Sequence, residues 1–294
     1  MEDSLSRFAD AIASGKFLVT TELAPPKGTD IQTPLAAAER LRDVVDAFNV
    51  TDQQASIMRS SPWALCKALY DKGIEPIMQM TCRDRNRVVM QGDLLGAAIL
   101  GIHNVLCLTG DPPGTGDHPE AKAVNDLDVV SLVAAAKQLN SGKDLAGNKL
   151  QGVPNFCVGA VANPGAKAQE PELDKLRKKV AAGAQFIQTQ AVYEPAQFAN
   201  FTKQAPGIDA AMIVGIIFLK SGKQARYMNE RIPGIHVPDS LIAEIDSAPN
   251  KEAASIAIAA RIIREVRPLC RGVHMMAMGW EHLIPETLKQ AGVR

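Results

Sequence analysis

Short β-rich runs alternate with longer helical patterns along the whole chain, and this alternation restricts the fold more than any other feature of the sequence. Residues 17–23 (FLVTTEL) read as a strand, and Leu35, Ala38, Leu41 and Val45 then repeat on one helical face within residues 34–47. Residues 48–52 lead to a helix beginning near Pro62, and residues 76–82 lead to a helix over 87–100 that stops at Gly101. The same unit recurs as strand 104–109 with helix 126–139, strand 155–161 with helix 171–182, strand 186–192 with helix 196–203, and strand 211–218 with helix 222–230. An extra helical stretch over 239–269 precedes a last strand at 272–278 and a terminal helix around 285–290. A further helix is expected before the first strand.

Eight strand-plus-helix units imply an α/β fold, a closed eight-stranded parallel (β/α)8 TIM barrel. The rival is a doubly wound open sheet, but no GxGxxG follows the first strand and no P-loop occurs. The 294 residues suit a single domain over 1–294, since such barrels run to about 250 residues as one unit. The most loop-like stretch, residues 140–152, lies on the helix-to-strand side, away from the face where barrel chemistry is housed.

Composition narrows the partners. With 46% hydrophobic residues the chain can bury a large core, and 32 Lys+Arg balance 32 Asp+Glu, which removes a bulk electrostatic case for nucleic acid or anionic membrane. The longest uncharged apolar run, residues 210–219, is strand length and too short for a membrane span. The first sixteen residues, MEDSLSRFADAIASGK, carry acids and lack a signal-peptide apolar block, so a cytoplasmic location is expected. Cys66, Cys82, Cys107, Cys157 and Cys270 are odd in number and widely spaced, which reads as buried reduced thiols. Without a CxxC pair, and with His103, His118, His236, His274 and His282 in no HExxH spacing, no metal site is expected. The histidines read as structural or superficial, and Met275, Met276 and Met278 as filling of a core strand.

In a barrel the chemistry belongs at the carboxyl ends of the strands, and polar residues collect there. Glu22 ends the first strand between apolar neighbours, Thr51-Asp52-Gln53 the second, and Gln79, Thr81 and the run Arg83-Asp84-Arg85-Asn86-Arg87 the third. Asp111 follows the fourth, Asn163 the fifth, and Lys220-Ser221 the seventh; Gln188 and Gln190 lie within the sixth. Such side chains in apolar strands are costly unless they bind something or each other. Glu22 is the favoured acid, and only alternate members of Gln188-Thr189-Gln190 face inward, so one glutamine is the working residue. The Gly110-Asp111-Pro112-Pro113-Gly114 stretch reads first as turn formers, and the arginine run as a solvated loop whose place on the active face raises a binding role. Lys178 and Lys179 on their own read as the wet side of an amphipathic helix.

Taken in order, Thr21-Glu22-Leu23-Ala24-Pro25-Pro26-Lys27-Gly28, Val50-Thr51-Asp52, Gln79-Met80-Thr81-Cys82-Arg83-Asp84-Arg85-Asn86, Leu108-Thr109-Gly110-Asp111-Pro112-Pro113, Gln188-Thr189-Gln190 and Leu219-Lys220-Ser221 make the chain resemble methylenetetrahydrofolate reductases over nearly its full length. The resemblance implies a flavin lying across the carboxyl-end opening, with FAD the first choice and FMN the alternative, and NAD(P)H as co-substrate. It makes Glu22 the general acid that protonates N10 of methylenetetrahydrofolate, a task that near neutral pH needs a raised pKa or a proton relay. It makes Asp111 the aspartate that stabilises the resulting iminium cation and tunes the flavin. Gln190 would hold the pterin, while Thr51, Gln79, Thr109, Gly110, Asp111 and Asn163 would line the flavin and Lys179 its phosphate-bearing tail.

Two departures bear on that reading. Where FAD-binding members often carry an arginine and a Tyr-Pro loop, this chain has Thr109 and Ala162-Asn163-Pro164; where some place a stacking phenylalanine, it has Ser221-Gly222. Folate stacking is therefore assigned to Tyr193 or Phe218. The expected partners are the folate, a homo-oligomer, and an accessory electron-transfer or zinc-containing subunit. Two other readings stay open: a non-catalytic pterin- or flavin-binding subunit, and a flavin-free reductase passing hydride directly from nicotinamide.

Overall fold

The computed structural model describes residues 6–294, so the first five residues of the acidic leader lie outside the described residues. Strands β1 (Leu18–Leu23), β2 (Ala47–Val50), β3 (Pro76–Thr81), β4 (Asn104–Leu108), β5 (Cys157–Ala162), β6 (Phe186–Ala191), β7 (Ala211–Ile217) and β8 (Gly272–Met276) form a closed barrel in sequence order. Every neighbouring pair is parallel, and β8 closes on β1 with Val19 opposite Val273 and Thr20 opposite His274. The crossover helices surround it: α2 (Gln32–Leu41), α3 (Pro62–Asp71), α4 (Arg87–Ile99), α5 (Val129–Asn140), α6 (Gln169–Ala181), α7 (Pro195–Gln204) and α8 (Gly222–Arg231). The extra stretch before the last strand is two helices, α9 (Asp239–Ser247) and α10 (Lys251–Val266), and α11 (Ile284–Gln290) follows β8. No helix of the described residues is long and apolar enough to cross a membrane.

Local chemistry explains the helix starts. The Asn86 side chain accepts from the N–H groups of Val88 and Val89, Asp128 from Ser131, Ser221 from Gln224 and Asn250 from Ala253, each satisfying donors that have no partner inside the helix. Where the expected bounds fail, the cause is also local. The apolar pattern over 34–47 predicts a helix through Val45, yet α2 ends at Leu41, because the N–H groups of Val44 and Val45 both return to the Leu41 carbonyl. Val45 is buried all the same, so its periodicity reports packing and not backbone conformation. At the other end of the chain β8 stops at Met276; Met278 has φ 50° and is 56% exposed, so it does not fill the core strand as expected.

The barrel interior is sealed at its amino end. Leu18, Ala47, Ile77, Leu106, Cys157, Phe186 and Ala211 point inward there and pack with Phe8 of the leading helix α1 (Arg7–Ala13). The Phe8 and Phe186 rings meet edge to face, 5.2 Å between centroids. Gly159 makes room for this plug, since a Cβ at that position would lie 2.3 Å from the Phe186 ring. The outer faces of the strands pack against the helices in the main core. Among the described residues the interior thus opens toward the carboxyl ends of the strands. Residues 140–152 do lie on the helix-to-strand side, with a single antiparallel bridge between Lys143 and Lys149.

Candidate active site

Strand register decides which side chains reach the opening. Counting inward positions toward the carboxyl ends gives Leu18, Thr20 and Glu22 on β1, Ala47 and Asn49 on β2, Ile77, Gln79 and Thr81 on β3, Phe186, Gln188 and Gln190 on β6, and His274 and Met276 on β8. Apolar residues occupy the floor and polar ones the levels above. The resulting cavity measures about 640 Å³ and is lined by Glu22, Asp52, Gln79, Thr81, Thr109, Gly110, Asp111, Asn163, Lys179, Gln188 and Gln190, which the sequence singled out, together with Glu172, Lys175, His274 and Met276. A second cavity, of about 300 Å³, lies at the opposite end; its charges pair with one another, Lys16 and Arg294 with Asp46, and Arg7 with Glu75.

A chain of polar contacts crosses the barrel beneath the opening. The Asn49 and Gln188 amides bond reciprocally at 2.7 and 3.1 Å, Gln188 Nε2 lies 3.3 Å from Thr20 Oγ1, and Thr20 Oγ1 lies 2.9 Å from His274 Nδ1. His274 Nε2 is 3.8 Å from Glu22 Oε2, an ion-pair distance, with the Glu22 side chain 16% exposed. Of the two readings the sequence left for His274, structural or superficial, its burial and its bond to Thr20 remove the superficial one, and it lines the cavity as well. Its signal was available: a polar residue at an inward position of a short apolar strand, two residues before Met276. Asn49 and Thr20 carried the same signal.

The other acids differ. Asp52 is fully enclosed and already saturated, with Arg85 at 2.7 and 3.2 Å and the Thr81 N–H and hydroxyl at 2.8 and 3.0 Å. Asp111 sits on the exposed rim, where Oδ2 accepts the Ala55 N–H at 2.9 Å. That contact uses a left-handed stretch in which Gln53, Ala55 and Ser56 all have φ between 47° and 58°. Gly110 has φ 89°, a conformation that favours glycine, and packs closely on Thr81 and Arg83, whose Cβ atoms would lie 3.1 and 3.0 Å from a Cβ at that position.

The arginine run serves the loops. Arg83 is buried, binds Asp84, and donates to the carbonyls of Asp111 and Gln53; Arg85 joins Asp52 to Asp93, and Arg87 joins Asp126. The expected ligand-binding role gives way because each guanidinium is satisfied by the protein itself. Lys178 is the wet residue, paired with Asp174. Lys179 is buried with Nζ 2.8 Å from the Val161 carbonyl, and burial pushes its ammonium pKa down from the ordinary value.

Thr51 is buried just past β2, and its hydroxyl has no partner among the described residues. Asn163 lines the cavity but uses its side chain on the Pro233 carbonyl and the Gly165 N–H. Tyr193 does not reach the opening: its ring is buried and its hydroxyl donates to the Ile217 carbonyl at 3.0 Å. Phe218 is equally buried, so neither ring offers a face for stacking as expected. All five cysteines are free; four are buried and Cys270 is half-buried. Among the described residues no group of three or more His, Cys, Asp or Glu gathers to hold a metal ion.

Comparison with known proteins places this geometry. The family model for methylenetetrahydrofolate reductase matches residues 7–292. Methylenetetrahydrofolate reductase 2 of Schizosaccharomyces pombe is 27% identical over 97% of this chain, which spans 47% of that relative's length. The 5,10-methylenetetrahydrofolate reductase of Escherichia coli is 28% identical over 76% of this chain and 73% of its own. Among solved structures, a Clostridium thermocellum protein described as binding two copies of 5-methyl-5,6,7,8-tetrahydrofolic acid has the same fold, with TM-score 0.69 at 15% identity over 96% of this chain and 97% of that one. With the family model covering the barrel almost from end to end, this chain belongs to the methylenetetrahydrofolate reductase family.

Proposed function

We propose that this chain reduces 5,10-methylenetetrahydrofolate to 5-methyltetrahydrofolate in a flavin-dependent, ping-pong reaction, with NAD(P)H or a partner protein as the electron donor. One observation carries the reading: Glu22 stands inside the carboxyl-end opening of the barrel with an imidazole nitrogen 3.8 Å from its carboxyl. The activity in the names of the relatives supports it, as does the folate bound by the clostridial neighbour.

The residues present fit a flavin. The Thr51 hydroxyl is buried without a partner among the described residues, but Thr51 does not line the cavity, so the fit rests on the residues that do. The Gln79 amide, the Thr109-Gly110 backbone and Asn163 form the wall, and the Lys179 ammonium supplies a cation for a phosphate-bearing tail. FAD remains the first choice and FMN the alternative. When bound, a flavin carries the hydride from donor to folate.

The chain's own residues do the rest. Glu22 gives its proton to N10 of the folate, which opens the five-membered ring to the 5-iminium cation that accepts hydride. Asp111 holds a negative charge at the rim, where it stabilises that cation. Gln190, at the next inward position of β6, offers its amide to the pterin. Donor and folate share one opening and so compete for it.

Stopped-flow measurement of the two half-reactions tests the reading. Glu22→Gln is expected to abolish folate reduction and leave reduction of the flavin by its donor largely intact. Equal loss of both halves would overturn the acid assignment. A wild-type protein that binds folate but reduces it with no donor would make the chain a binding subunit, and a colourless active preparation would make it flavin-free.

A further inference from the structure

Gln188 has no part in that reaction, yet it buries an amide in the barrel interior, where polar atoms are costly unless used. We propose that Gln188 is a positioning residue that sets which ring nitrogen of His274 carries the proton, and so leaves the Glu22 proton free for the folate. This inference rests on the reaction proposed above.

The argument follows the hydrogen bonds one at a time. Asn49 Nδ2 donates to Gln188 Oε1 at 2.7 Å, and Gln188 Nε2 donates back to Asn49 Oδ1 at 3.1 Å, which fixes each amide relative to the other; in the orientation the structure shows, Gln188 turns its nitrogen toward Thr20. The second N–H on Gln188 Nε2 then meets Thr20 Oγ1 at 3.3 Å. A threonine hydroxyl has one proton to give. With Gln188 donating to its oxygen, the acceptor within reach of that proton is His274 Nδ1, at 2.9 Å. Nδ1 is thereby an acceptor, and the neutral ring carries its hydrogen on Nε2. Nε2 is the nitrogen that faces Glu22 Oε2, at 3.8 Å.

The tautomer matters at Glu22. An Nε2–H facing the carboxyl offers no lone pair there to hold the Glu22 proton, which is left free to pass to folate N10. At 3.8 Å the contact is longer than a hydrogen bond, so its effect is electrostatic. The opposite tautomer would turn a lone pair toward Glu22 and hold the proton that the folate needs. Only one proton moves, from the Glu22 carboxyl to N10; Gln188, Thr20 and His274 keep theirs.

Nitrogen-15 NMR of histidine-labelled wild-type protein reads the ring directly, with His274 told apart from the other four histidines by its loss in His274→Asn. The expected result is a neutral His274 protonated on Nε2; protonation on Nδ1 would overturn the proposal without any variant being made. Gln188→Met keeps length and removes the donor, which leaves Thr20 free to point either way. Gln188→Glu, when ionised, only accepts, so it turns the Thr20 hydroxyl round and moves the ring proton to Nδ1. The folate half-reaction at saturating folate is expected to fall about tenfold in Gln188→Met and roughly 100-fold in Gln188→Glu, the lower end of a general acid–base contribution, with flavin reduction by the donor unchanged. Folate rates within twofold of wild type in both variants would overturn it. A wild-type protein that shows the Nε2–H ring but reduces no folate would sink the proposed function and leave the tautomer assignment standing.

Discussion

Asp111 and Glu22 are both carboxylates at one opening, and their surroundings give them different work. Glu22 is enclosed beside His274, whereas Asp111 is exposed at the rim with Oδ2 on the Ala55 N–H. Asp111→Asn keeps an oxygen that can accept that N–H and removes only the charge. It is expected to cost roughly 2 to 4 kcal/mol in the folate half-reaction, the scale of a lost electrostatic contact in a transition state. Stopped-flow rates with reduced enzyme and folate measure this, and an unchanged rate would take Asp111 out of the mechanism. How far such residues were legible depends on which neighbours matter. Glu22, Gln79 and Gln190 could be found because strand periodicity alone puts them inside. Arg83 and Tyr193 could not, because their partners, the Asp111 and Ile217 carbonyls, lie 28 and 24 residues away, and spacing says nothing about that pairing.

At the scale of elements, the strands were readable and the helix ends less so. A strand inside a barrel is buried on both faces, so its apolar run and its backbone coincide, as in β7, where every residue is buried. A helix pattern continues wherever burial continues, which is how Val45 extended the reading of α2 past Leu41. Close packing between elements leaves its own mark in Gly159 on β5, which faces the Phe186 ring of β6 with no space for a methyl group. Gly159→Ala is expected to destabilise the protein by about 1 to 3 kcal/mol, the usual cost of overpacking a filled core. Combining it with Phe186→Leu should recover part of that loss, because the two positions share one space and cannot act additively. Denaturant unfolding of the single and double variants gives the coupling, and strictly additive losses would contradict the shared-space account.

For the whole molecule, closure is the organising fact. The first strand pairs with the last, so residues 18–21 and 272–275 hold the two ends of the chain together. The helix before β1 adds a second tie: Phe8 seals the floor against Phe186, and the Ser6 hydroxyl lies 2.6 Å from Asn104 Oδ1 at the start of β4. A sheet without edges cannot lose one strand without exposing two more. From this we infer that the chain folds as one domain and unfolds in one cooperative step, with the active opening depending on a plug at the far end of the barrel. Phe8→Ala is expected to lower stability by about 3 to 5 kcal/mol, in the range for emptying a buried aromatic site. Because α1 itself supplies no residue to the lining of the opening, the loss should appear as an earlier unfolding midpoint with the slope unchanged, and folate reduction by the folded fraction should stay near wild type. Following near-ultraviolet circular dichroism and flavin fluorescence through the same denaturant series tests both claims. Two separated transitions would show that the helix-sealed end and the catalytic end are independent units, and the closure argument would then fail.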